Sequence, residues 1–125
     1  LEMSEGMPAD IVKLLDLFKS ADAVIIATPE HNGLMPAYFK NILDWLSRSG
    51  SKYLAGKNVA ILSTSPGGGA ARKASQVVSK IIGYSGATVV GEFGLPNFRD
   101  NFDLTNGTIV DADLDEELKE VLAKL

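Results

Sequence analysis

The chain has 125 residues, with 12 Lys+Arg against 16 Asp+Glu, a formal net charge of −4 and 46% hydrophobic residues. That length predicts one domain able to bury a real core, and the composition excludes a disordered chain. Cysteine is absent and His31 is the single histidine, which removes disulfides, thiolate catalysis and iron–sulfur ligation and speaks against a zinc site, while the acidic balance speaks against a nucleic-acid partner.

Residues 9–19 carry Ile11, Leu14, Leu15 and Phe18 at helical spacing, with Lys13, Asp16 and Lys19 on the other side. Residues 23–28 follow as a β-branched run without alternation, the pattern of a strand covered on both faces. This is the longest apolar run, far short of the roughly 20 residues of a membrane span. No signal peptide is visible at the N-terminus, which predicts a cytoplasmic protein. Pro29 stops the strand, and residues 29–36 form a loop with Asn32-Gly33 as its tightest point. Pro36 suits a first helical position, and the helix through Arg48 carries the stripe Phe39, Ile42, Leu43 and Leu46. Tyr38 and Trp45 lie off that stripe, so this helix meets either a neighbouring helix or a second copy of the chain.

Residues 58–63 read as a second buried strand, 63–69 as a Gly-rich loop and 70–82 as a helix with Ala74, Val77, Val78 and Ile81 on one face. Residues 83–86 break it, and 88–93 form a third strand. Asn106-Gly107 marks a turn between short extended pieces at 102–104 and 108–110. Asp113 followed by Glu116 predicts a capping box that opens a final helix over 114–125.

The alternation predicts an α/β fold: one domain over 1–125 with a doubly wound parallel sheet between helical layers. Only three strong strands are visible, and the helix at 9–19 has no strand before it. The chain begins with Leu1 rather than Met. The domain is therefore expected to be N-terminally incomplete, its first strands missing.

In such sheets ligands bind at the carboxyl ends of the strands. The loops 29–34 and 63–69 both leave such ends, and together they could hold a flat heterocycle by one face and one edge. Ordinary strand-to-helix connections also need Gly and Pro. Several sharper motifs are incomplete: Gly67-Gly68-Gly69 lacks the Gly-Lys-Ser/Thr of a P-loop, and Arg72 breaks the dinucleotide fingerprint. No G-x-S-x-G elbow is present for a hydrolase serine.

Ala27-Thr28-Pro29-Glu30-His31-Asn32-Gly33, then Pro36, Lys40-Asn41 and Asp44-Trp45-Leu46-Ser47-Arg48, resembles the NADPH-dependent FMN reductase family of flavodoxin-like quinone, chromate and azo-dye reductases. Ser63-Thr64-Ser65-Pro66-Gly67, with Gly69 and Arg72, is similar to that family's second flavin loop. The resemblance implies a flavodoxin-like three-layer αβα fold, bound FMN, NAD(P)H as co-substrate and a small-molecule electron acceptor such as a quinone. It implies cofactor contacts from Pro29, Glu30, His31, Asn32 and Gly33 on one side and from Ser63, Ser65 and Gly67 on the other. No side chain is implied as an acid or base, and no metal. His31 stands where the family usually has Tyr, which keeps a flat polar ring and introduces a titratable group. The family's opening strand and G-S-x-R-type phosphate loop have no match here, and a preceding segment carrying them is expected. The resemblance also implies a homodimer or homotetramer through Tyr38, Asn41, Asp44, Trp45 and Arg48. The alternative is a flavodoxin-like electron carrier without NAD(P)H turnover.

Overall fold

A computed structural model describes the backbone of residues 2–125 and the side chains from residue 4 onward. In chain order the elements are α1 (Glu2–Glu5), α2 (Ala9–Ser20), β1 (Ala23–Thr28), α3 (Ala37–Arg48), β2 (Asn58–Thr64), α4 (Arg72–Tyr84), β3 (Thr88–Leu95), α5 (Phe98–Asn101), β4 (Phe102–Asp103), β5 (Thr108–Ile109) and α6 (Ala112–Leu122). The strands β1, β2 and β3 lie side by side in that order, both pairings parallel. Parallel neighbours need long crossovers, and α3 and α4 supply them.

The pleat sorts the side chains into two cores. Val24, Ile26, Val59, Ile61 and Val89 point to one face, where Ile11 of α2, Leu43 and Leu46 of α3, and Val78 and Ile82 of α4 close over them. The opposite face carries Ala60, Leu62, Phe93 and Leu95, packed against Val121, Leu118 and Leu114 of α6 and against Phe98, Phe102 and Ile109. Helices therefore flank the sheet on both sides, the expected αβα layering. α6 approaches β3 closely because residue 91 is glycine: a Cβ there would lie 3.0 Å from a Val121 methyl.

Several expectations shift. The strand 23–28 is not covered on both faces: Ile25 is 52% exposed and Ala27 is also exposed, while among the described residues β1 pairs on one edge only, with β2. α6 packs chiefly on β3, away from that corner. The helix expected from residue 70 begins at Arg72, because Ala70 and Ala71 both take left-handed backbone angles. Gly83 stays helical, and the chain turns at Gly86 with φ +88°. The capping box on Asp113 does not form. Asp111 is the N-cap instead, its carboxylate accepting from the Asp113 and Leu114 amides at 2.9 and 3.0 Å. The short helices α1 and α5 had no periodic signal because neither exceeds four residues. Among the described residues no helix is long and apolar enough to cross a membrane.

Candidate functional site

Both candidate loops leave the carboxyl ends of neighbouring parallel strands, since Thr28 and Ser63 are register partners. In the first loop, His31 and Leu34 exchange backbone hydrogen bonds of 2.8 and 3.1 Å. Asn32 (φ 53°) and Gly33 (φ 80°) turn the chain between them, conformations that suit asparagine and glycine. The far end is anchored by buried Met35 and Pro36. His31 and Asn32 are exposed, whereas Glu30 and Gly33 are partly buried.

The second loop is shaped by its two serines. Ser63 is buried and its hydroxyl donates to the Ala70 carbonyl at 2.7 Å, drawing both ends of the loop together. The Ser65 hydroxyl donates to the Gly67 carbonyl at 2.9 Å. The backbone then ties the loop to the segment after β3: Phe98 N–H donates to the Ser65 carbonyl and Asn97 N–H to that of Gly67, both at 3.0 Å. Gly67, Gly68 and Gly69 remain exposed. Among the described residues nothing accepts a hydrogen bond from the amides of Asn32, Gly33, Gly67, Gly68 or Gly69. Each loop thus offers backbone donors, the kind of group that recognises the carbonyl-rich edge of a heterocycle.

The loops are joined through Glu30. Its carboxylate accepts from the Ala74 amide in the first turn of α4 at 3.2 Å. Gly33 also faces that turn, since a Cβ there would lie 4.0 Å from the Lys73 side chain.

A cavity of about 770 Å³ opens at the same strand ends, on the α6 side of the sheet. Pro29 and Ser63 line it, together with Thr28, Thr64, Phe93, Leu95, Phe98, Phe102 and Ile109. Glu30, His31, Asn32, Gly33, Ser65 and Gly67 lie outside that lining. Phe98 and Phe102 stack with centroids 5.1 Å apart and planes 16° from parallel. Sequence reasoning did not identify these aromatic wall residues. Their four-residue spacing was a usable signal, but the chain leaves helical geometry at Phe102.

The same elements recur in known proteins. A quinone reductase of Escherichia coli K12 is 43% identical over 67 residues, which cover 54% of this chain and 36% of that protein. An NADPH:quinone oxidoreductase of Arabidopsis thaliana is 35% identical over 130 residues, covering all of this chain and 64% of that protein. The chain thus spans only part of the length of these curated relatives. In structure, the flavoenzyme NAD(P)H:(acceptor) oxidoreductase FerB of Paracoccus denitrificans superposes with a TM-score of 0.76 at 23% identity, covering 98% of this chain and 70% of that one. That likeness supports the flavodoxin-like fold expected from the motifs. The family model for NADPH-dependent FMN reductase matches residues 1–100, a stretch that takes in both loops and all three parallel strands, and the chain belongs to that family.

Proposed function

We propose that this chain is the flavin-ring-binding part of a cytoplasmic NAD(P)H-dependent FMN oxidoreductase that reduces quinones or similar small-molecule acceptors. The observation that carries the reading is the pair of donor-bearing loops, 29–34 and 63–69, fastened side by side at the carboxyl ends of β1 and β2. Their free amides and the flat apolar surface at Pro29 suit a planar heterocycle with an acceptor-rich edge. Printed names of relatives point the same way, toward quinone reduction.

When bound, FMN supplies the hydride and electron chemistry that links NAD(P)H to the acceptor. The protein's share is position. Asn32 and Gly33 direct backbone N–H groups at the polar edge of the ring. Pro29 and the His31 imidazole border its face. Ser63 and Ser65 hold the opposite loop in shape, so that Gly67 and its glycine neighbours present amides from the other side. No side chain is assigned as an acid or base.

The free edge of β1 and the exposed Ile25 and Ala27 suit one further strand and helix, and we place the phosphate-binding loop in such a preceding segment. The two-fold contact of a homodimer, or of a homotetramer, is assigned to the α3 face of Tyr38, Asn41, Asp44, Trp45 and Arg48.

The test expresses this chain with and without the reading frame upstream of Leu1. The extended protein is expected to take up FMN, seen by its visible absorbance, and to oxidise NAD(P)H steadily with a benzoquinone. An extended protein that stays colourless with added FMN refutes the reading. Flavin uptake without NAD(P)H oxidation identifies an electron carrier instead. A frame that begins within a few residues of Leu1 removes the preceding segment.

A further inference from the structure

The start of α4 is unusual in three ways. Its N-cap, Ala71, has no side chain able to accept a hydrogen bond, and sits at φ 55°. Its first turn holds no acid, while Arg72 and Lys73 place positive charge where the helix dipole disfavours it. The preceding residue, Ala70, is also left-handed at φ 53°. Two successive non-glycine residues in that region persist only where the surroundings hold them.

The surroundings hold them from two sides. From inside the fold, the Ser63 hydroxyl grips the Ala70 carbonyl, and Gly94 leaves room for Ala70. From outside, the Glu30 carboxylate accepts from the Ala74 amide, 44 residues away in sequence. That contact supplies the acceptor Ala71 lacks and the negative charge the first turn lacks. Of α2, α3, α4 and α6, only α4 has its first turn closed by a carboxylate from another element.

We propose that Glu30 is a positioning residue: by capping α4 from the neighbouring loop it fixes the spacing of loops 29–34 and 63–69 at the strand ends. The second loop runs straight through Ala70 and Ala71 into α4, so whatever holds the first turn of α4 holds that loop. Glu30 therefore acts on the ligand through the backbone it fastens and does not touch the ring itself. This deepens the flavin reading and rests on it for the identity of the ligand. A purely structural cap would affect stability and leave the spacing of the loops unchanged.

The test compares Glu30→Ala and Glu30→Gln with wild type in the protein carrying its upstream segment. Amide hydrogen exchange is followed at Ala74, at His31 and Leu34, which bond each other within the first loop, and at Asn97 and Phe98, whose amides bond the second loop, and FMN affinity is read by fluorescence titration together with the visible flavin spectrum. In Glu30→Ala, exchange is expected to quicken about fivefold at Ala74 and in both loops together, with FMN bound about fivefold more weakly, matching the loss of one cap. Glu30→Gln keeps an acceptor oxygen and is expected to restore both readouts to within about twofold. Should Glu30→Ala not fold, Glu30→Met, of similar length and without that acceptor, takes its place. Exchange unchanged in loop 29–34, or FMN affinity lost equally in the Ala and Gln variants, overturns the proposal. If the wild type takes up no FMN, the flavin reading fails, and the exchange comparison alone decides the coupling.

Discussion

Gly94 lies against Ala70 so closely that a Cβ on Gly94 would be 3.0 Å from the Ala70 Cβ and 3.1 Å from its carbonyl oxygen. It would also come within 3.3 Å of the Ser63 hydroxyl that grips that carbonyl. The Ala70 Cβ and carbonyl oxygen are fixed to the backbone at the entrance to α4, which cannot move without disturbing the left-handed pair. Gly94→Ala is therefore predicted to lower stability by about 1–3 kcal/mol, the usual cost of overpacking. Denaturant unfolding measures it. A change below a few tenths of a kcal/mol would show that the loop gives way freely.

A second prediction separates two adjacent acids at the head of α6. Asp111 accepts from two amides of the first turn, whereas Asp113 lies inside the helix. Asp111→Ala is expected to cost about 1 kcal/mol and Asp113→Ala only a few tenths, through the dipole alone. Equal effects in thermal unfolding would contradict the assigned cap.

The β4–β5 turn should respond to acid. Asp103 accepts from the Thr105 and Asn106 amides at 2.8 and 3.2 Å and from the Asn106 side-chain amide at 2.6 Å. The Asn106 side chain, then the Asn106 and Thr105 backbone amides, hold its carboxyl below the usual carboxylate range. Because the folded state favours the ionised form, this contribution is present above the ordinary Asp range. It is lost as pH falls through the lowered value. Protection of the Thr105 amide, measured against its intrinsic exchange rate at each pH, is expected to fall over that acidic window in wild type and to stay level in Asp103→Asn. Identical acid profiles would rule out the carboxylate as the turn's holder.

The proposed two-fold contact on α3 can be tested without damaging the core. Tyr38 is 65% exposed, whereas Trp45 is partly buried and packs against the core beneath α3. Trp45→Ala therefore removes core packing as well as contact surface. Tyr38→Asp places a charge on the exposed face alone and is expected to shift sedimentation from dimer to monomer with the melting temperature of the protomer little changed. A wild type that sediments as a monomer at high micromolar concentration would reject the contact, as would a variant that stays dimeric.

Periodicity made the parallel strands and their crossover helices legible. Ile11, Leu14, Leu15 and Phe18 mark one helix face, and the run at 58–63 has no alternation because β2 is covered on both faces, whereas the equally apolar run at 23–28 leaves Ile25 and Ala27 exposed. The failures share a cause. Nothing local tells residues 70–71 to be left-handed, since alanine favours a right-handed helix. Their conformation is imposed by Ser63 and Gly94 from neighbouring strands. Asp113 followed by Glu116 has the spacing of a capping box, yet Asp111 reaches the first amides because the chain enters the helix two residues earlier, out of its pairing with β4.

Local sequence settled the three parallel strands, the longer helices, their order and the residues of the two strand-end loops, because backbone propensity and hydrophobic spacing act over a few residues. Tertiary structure decided what those loops do to one another. The Glu30 contact with Ala74 spans 44 residues, and no local pattern distinguishes a carboxylate that will cap a distant helix from one that faces solvent. It decided equally that Ile25 is exposed while Ile61 is fully buried. Both are isoleucines within apolar strand runs, and the difference comes from which sheet face and which strand edge another element covers.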